Sequence, residues 1–171
     1  MNTKHFMVGL LLALPMHVTP TLATPANRPD APAISPISAE KARSMAAAAE
    51  RAARAQGFAI VISIVDNHGN LKHFHRMDGT SSGSAQVAQL KAATSARFPL
   101  SSRSLGERSA GLPANPYASL PGFTLLEGGL PIMDAYGRHV GGIGISGATP
   151  ELDAQFARIA LETLGSRATG R

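Results

Sequence analysis

The sequence predicts an α/β (α+β) protein, one domain with an antiparallel sheet of about five strands flanked by helices. Apolar, β-branched runs follow one another across short turns rich in Asp, Asn and Gly, which is how antiparallel neighbours are joined. Helical patterns open the ordered part, fill its middle and close it. From Ser38 to Gly165 there is no repeat and no second boundary, and roughly 130 residues is a common size for one domain.

The first helix starts at Ser38, a residue suited to N-capping, with Glu40 favourable in its first turn. Ala42, Met45, Ala46, Ala49 and Ala53 then share one narrow face, and Gly57 is placed to end the helix. That alanine face predicts close packing against a neighbour. Phe58 to Val65 is a strand apolar on both faces, so it belongs in the middle of the sheet, covered on both sides. Asp66 to Asn70 is a turn, and Leu71 to Met77 returns as the second arm of a hairpin. Ser84 to Phe98 reads as a helix with Val87, Leu90, Thr94 and Phe98 toward one side, stopped by Pro99, and a short helix follows over Ser102 to Ser109. Residues 111–123 are irregular, with Pro113, Pro116 and Pro121 among glycines. Thr124 to Leu126, Leu130 to Met133 and Val140 to Ser146 read as three further strands, with a tight turn at Tyr136-Gly137-Arg138. The last helix has Thr149 as cap, Pro150 at its first position, Glu151 and Asp153 toward its positive end, and a stripe of Leu152, Phe156, Ile159, Ala160 and Thr163.

The segment before Ser38 predicts export. Lys4 precedes the apolar run Phe6 to Leu14, and Thr21-Leu22-Ala23 offers small residues for cleavage, the order of a secretory signal peptide over residues 1–23. The run is nine residues long, whereas crossing a bilayer takes ~20. A Pro-rich linker over 24–37 has almost nothing to pack, and 166–171 is a tail expected to fray. The expected location is periplasmic or secreted, with no membrane attachment after cleavage.

The chain has no cysteine, which excludes disulfides, thiolate ligands and covalent haem attachment. Its formal charge is +5, and Lys4 is the only charged residue among the first 23. The remaining basic residues are dispersed, and aromatic residues are few, so no nucleic-acid partner is expected. There is no GxSxG and no HExxH, and Asp66, Asp78 and Asp134 sit at turns where Asp often serves the backbone. No catalytic residue is assigned. Gly142-Ile-Gly-Ile-Ser-Gly147 has the spacing of a phosphate-binding loop, but its glycines lie inside a strand and the helix begins only at Thr149. They are read instead as sites where a helix comes close to the sheet.

Several segments, taken in order, carry a resemblance: Val65-Asp-Asn-His-Gly-Asn-Leu71, Arg76-Met-Asp-Gly79, Lys91-Ala-Ala-Thr94, Leu120-Pro-Gly122, Gly128-Gly-Leu-Pro-Ile132 and Val140 to Gly147. Together they resemble the haem-binding GlcG/HbpS-like family, which also includes the C-terminal domain of PduO-type proteins. The resemblance runs from about Ser38 to Leu164. It implies a profilin-like α/β/α layout, assembly as a homo-oligomer, and haem binding with a role in haem sensing or handling. For other members it implies an accessory place in glycolate or corrinoid metabolism.

Haem iron accepts His, Met, Cys or Tyr, among others. His73 and His75 lie two apart on a strand and so share a face, with Leu71 and Met77 expected beside them. They are candidate ligands for a metal or a haem iron, or else imidazoles that only hydrogen-bond. Tyr117 sits in the irregular loop where the resemblance suggests that haem approaches, as an iron ligand or as a ring that anchors the loop. Arg97, Arg103 and Arg108, with Lys91, form a candidate patch for haem propionates. His68 and His139 read as surface residues. The expected function is an exported haem- or tetrapyrrole-binding protein. Two alternatives compete with it: an accessory enzyme acting on a small hydroxy- or keto-acid, and an oligomerisation module without a ligand.

Overall fold

The structure, a computed structural model, describes residues 33–165. The expected signal peptide (1–23), most of the expected linker (24–37) and the expected tail (166–171) lie outside these residues. Helix α1 (Ala39–Ala55) leads to strands β1 (Val61–Asp66) and β2 (Leu71–Arg76). Helices α2 (Ser82–Arg97) and α3 (Ser102–Ala110) and a 3-10 turn (Pro116–Ser119) precede β3 (Gly129–Met133), β4 (His139–Ser146) and α4 (Pro150–Gly165). The sheet is antiparallel with order β2-β1-β4-β3. Among the described residues, no helix is long and apolar enough to cross a membrane.

Sequence dictates which side each strand presents. Ile62 and Ile64 of β1 pair with Ile145 and Ile143 of β4, and these four isoleucines face α1 and α4. Met45, Ala46, Ala49 and Phe156 close that core. Each large apolar side chain fully buried there contributes about 1.5–3 kcal/mol. On the opposite face, Gly142 and Gly144 alternate with the isoleucines and meet α2. A Cβ on Gly142 would lie 2.5 Å from Ala92 O and Ala96 N, and one on Gly144 would overlap Ala88 O and Ala92 N. The glycines therefore serve close approach of a helix, as read from the sequence.

Five details differ from expectation. Among the described residues the sheet has four strands, because Thr124 to Leu126 pairs with helices instead. Thr124 N–H donates to Thr94 Oγ1 at 2.9 Å and Leu126 O accepts from Ser102 Oγ at 2.6 Å. Helix α2 buries its small side, Ala88, Ala92 and Ala96, whereas Val87 and Leu90 are only half-buried, since glycine on the strand leaves no depth for larger side chains. Ile37, assigned to the linker, is buried in the core and its N–H donates to Val140 O at 3.0 Å. Leu71 is not beside His73. The β1–β2 register shifts by one residue between Ile64 and Val65, which pairs Leu71 with Val65 and turns it to the α2 face. Asp153, read as a charge near the helix start, is buried.

Candidate ligand site

The C-terminal end of α2 and the irregular connection after α3 build an aromatic surface. Phe98 caps α2 in extended conformation, because the following proline cannot continue the helix. Its ring centroid lies 5.7 Å from Tyr117, edge-on, and 5.3 Å from Phe123. The Arg97 guanidinium lies 5.6 Å from the centroid of Phe123. Arg97 also lies against Gly69 in the β1–β2 turn, where a Cβ would be 3.3 Å from its Nη2. Tyr117 is held by its backbone, since its N–H donates to Ser109 Oγ at 3.0 Å, and Ser109 Oγ in turn donates to Asn115 Oδ1. Ala114 and Asn115 both adopt positive φ, 63° and 46°, to bring the turn round. The same connection exposes Leu112, Leu120 and Leu126. A half-buried phenol, two phenyl rings and a guanidinium thus share one end of the molecule.

His73 and His75 lie elsewhere. They pair with Ile64 and Ile62 and so share the sheet face that α1 covers. His75 Nε2 is 3.3 Å from Glu50 Oε2, a carboxylate that also accepts from Arg54 Nε at 3.0 Å. Burial, then the neighbouring His75 and Arg43, hold the His73 imidazole below the usual histidine range. Among the described residues, no group of three or more His, Asp or Glu is arranged to hold a metal ion.

The expected propionate patch is only partly assembled. Arg103 donates to Glu107 at 2.9 Å and to Glu127 at 3.2 Å, so its charge is matched by two carboxylates. Lys91 does not reach that surface at all. Its Nζ is buried, 2.7 Å from Asp153 Oδ2 and 2.8 Å from Ile145 O. Asp153 Oδ1 accepts from Ala148 N–H at 3.1 Å, so the pair ties α2, the end of β4 and the start of α4 together. Burial pushes the Asp153 carboxyl above its usual range, although the ammonium pulls the other way. Gly128, at φ +120°, gives the ammonium room, since a Cβ there would sit 2.7 Å from Lys91 Nζ. His139, read as a surface residue, is half-buried with Nε2 3.1 Å from Ser95 O.

An antiparallel sheet with two helices on one face and one on the other defines a small α+β domain. Residues 37–162 match the family model of the haem degrading protein HbpS-like proteins, and the chain belongs to that family. It is similar in structure to a double mutant of HbpS from Streptomyces reticuli, at 32% identity and a TM-score of 0.73, over 84% of this chain and 97% of that one. It is also similar to PduOC, solved as a haem complex, at 26% identity and a TM-score of 0.67, over 74% of this chain and 94% of that one. A 15.0 kDa protein from the dhaT-dhaS intergenic region of Citrobacter freundii is 31% identical over 137 residues, 75% of this chain and 92% of its own length.

Proposed function

We propose that this chain is an exported protein that binds haem or a similar tetrapyrrole, works in haem sensing or handling, and self-associates. The single observation that carries the ligand assignment is the donor chemistry at the end of α2. A haem needs an iron ligand, a flat apolar surface and cations for its propionates. Tyr117 offers an oxygen donor suited to ferric iron. Phe98 and Phe123 offer ring surfaces, with Leu120 exposed on the same connection. Arg97 offers a guanidinium matched to a carboxylate. Haem, when bound, supplies an iron centre for redox or ligand-sensing chemistry. The chain's own residues hold and orient it and keep water from one face. The family membership and the haem complex of PduOC support the same reading.

Titration with hemin tests it. The protein is expected to give a saturable Soret band with the high-spin character of tyrosinate ligation. Tyr117→Phe keeps the ring contact with Phe98 and removes the donor oxygen, so the band should shift and affinity fall. Arg97→Ala should weaken binding with an unchanged spectrum, by on the order of 1 kcal/mol for an exposed propionate contact. Arg103→Ala should do less, because Glu107 and Glu127 already engage that side chain. His73→Ala/His75→Ala is the control for the other donor set. If that variant alone loses the Soret band, iron is held on the α1 side of the sheet and the Tyr117 assignment is wrong.

Export rests on Lys4, the run Phe6 to Leu14 and the small residues at 21–23. Mass spectrometry of periplasmic protein should find a chain beginning at or near Thr24, and a full-length membrane-held chain would overturn it. Self-association rests on the family resemblance. Light scattering should give a mass several times that of one chain, and a monomer at micromolar concentration would refute it.

A further inference from the structure

We infer that the cleft between α2 and the edge strand β2 is a second ligand site, one that takes a small organic molecule by an uncharged, largely apolar part carrying one hydroxyl or carbonyl. The cleft exists because of the glycines in β4. They draw α2 onto β4 and β1, and a single helix so placed cannot also cover β2, which leaves Leu71 58% exposed on the α2 face. The resulting space is 280 Å³, just below the ~300–1,000 Å³ usual for ligand pockets.

Its lining has a definite chemistry. Leu71, Leu90 and Ala93 give apolar walls, Gln86 and Gln89 stand at the exposed side of α2, and no charged side chain among the described residues lines it. The floor holds the deciding observation. Ser63 sits at the centre of β1 with 0% exposure, and its hydroxyl has no hydrogen-bond partner among the described residues. A buried hydroxyl left unpaired costs about 1–3 kcal/mol, and the residues on either side of it in β1, Ile62 and Ile64, are apolar. A serine kept there, facing an apolar cleft across from Gly144, is a hydrogen-bonding group set for whatever enters. The cleft lies on the α2 side of the sheet, and Gly69 at its rim touches Arg97. It therefore adjoins the aromatic end without sharing its rings.

The test uses the full chain without haem, so it stands apart from the hemin titration. Benzyl alcohol and its near-isostere ethylbenzene serve as probes, followed by backbone amide NMR. Both should shift, saturably, the amides of β1, the β1–β2 turn and the Gln86 to Ala93 stretch, with the alcohol binding more tightly. Ser63→Ala should weaken the alcohol roughly three- to tenfold and leave ethylbenzene as tight or tighter. Ala93→Leu, which places a side chain in the cleft, should abolish binding of both while the unfolding midpoint holds. Absence of saturable shifts overturns the site, as does binding that survives Ala93→Leu. Equal weakening of both probes by Ser63→Ala would make that residue structural and overturn its assigned role.

Discussion

Replacing Lys91 by methionine should destabilise the domain by an amount that depends on pH in a defined direction. The change keeps an unbranched chain in the same space and removes the ammonium, leaving Asp153, 1% exposed, without its partner. Removing one member of a buried pair costs ~3–5 kcal/mol at neutral pH. For a domain between the small and medium classes, at roughly 4 °C per kcal/mol, the melting temperature should drop by about 12–20 °C. Burial already pushes the Asp153 carboxyl upward, and losing the ammonium pushes it further. The folded variant therefore binds that proton more tightly than the unfolded chain does. Its penalty is smallest below the ordinary aspartate value of about 3.9 and grows as pH rises through the folded value. Asp153→Asn should also cost several kcal/mol, since the Lys91 ammonium stays buried. Lys91→Met/Asp153→Asn should cost less than the two single changes together, because no lone charge remains and the amide still accepts from Ala148 N–H. Urea unfolding followed by circular dichroism between pH 4 and 8 measures all four states. A Lys91→Met cost under about 1 kcal/mol, or one that does not change with pH, would refute the reasoning.

Gly144→Ala should cost about 1–3 kcal/mol or more, because its methyl would overlap the α2 backbone and a closely packed helix must retreat. Gly137→Ala, in an open turn at φ +73°, serves as the comparison and should show only backbone strain, ~1–2 kcal/mol. Asp66→Ala removes the acceptor for the His68 and Asn70 amides at 3.0 and 2.9 Å. Thermal unfolding should show a loss of about 2 kcal/mol or more, and hydrogen exchange at Asn70 should quicken. Burial, His75 and Arg43 disfavour the charged form of His73, so the stability it contributes is full above about pH 6.5 and is lost as pH falls below it. His73→Gln should flatten the stability profile between pH 7 and 5, and an unchanged slope would count against this cause.

The extents of the helices and the β1–β2 hairpin were legible in the sequence because capping and turn signals agreed with the fold, whereas the face that α2 buries was not. Ser38 accepts from Lys41 N–H at 3.2 Å as a capping residue should, and all five residues of the predicted α1 face are buried. The glycines of β4 were legible because a strand with no side chains on one face implies something close against it. What escaped were features made by distant partners. Lys91 and Asp153 lie 62 residues apart, and each had a sufficient local explanation, one as part of a basic patch and the other as a helix-start charge. Thr124 to Leu126 has a strand's composition, but Thr94 and Ser102 take its backbone groups before another strand can. Ser63 was hidden in an apolar run, where one hydroxyl does not disturb the pattern. At the candidate site, Tyr117 and Arg97 could be proposed from their chemistry. Phe98 and Phe123, the rings that join them, were read only as a helix end and a loop residue.

The seam between α2 and β4 has no interlocking side chains. Glycine faces alanine along it, so nothing there resists sliding of the helix along the strand in the way that interdigitated leucines would. Registration must come from the margins: the ammonium of Lys91 lodged beneath Gly128, Thr94, whose hydroxyl bridges its own helix to Thr124 at 3.3 Å, and His139 of β4, whose Nε2 lies 3.1 Å from Ser95 O. The helix is thus positioned by three polar pins on a smooth track. Cutting a pin should change where Arg97 sits relative to Phe123 before it unfolds anything. A variant chosen far from the aromatic end, at Thr94, would then read out at the ligand.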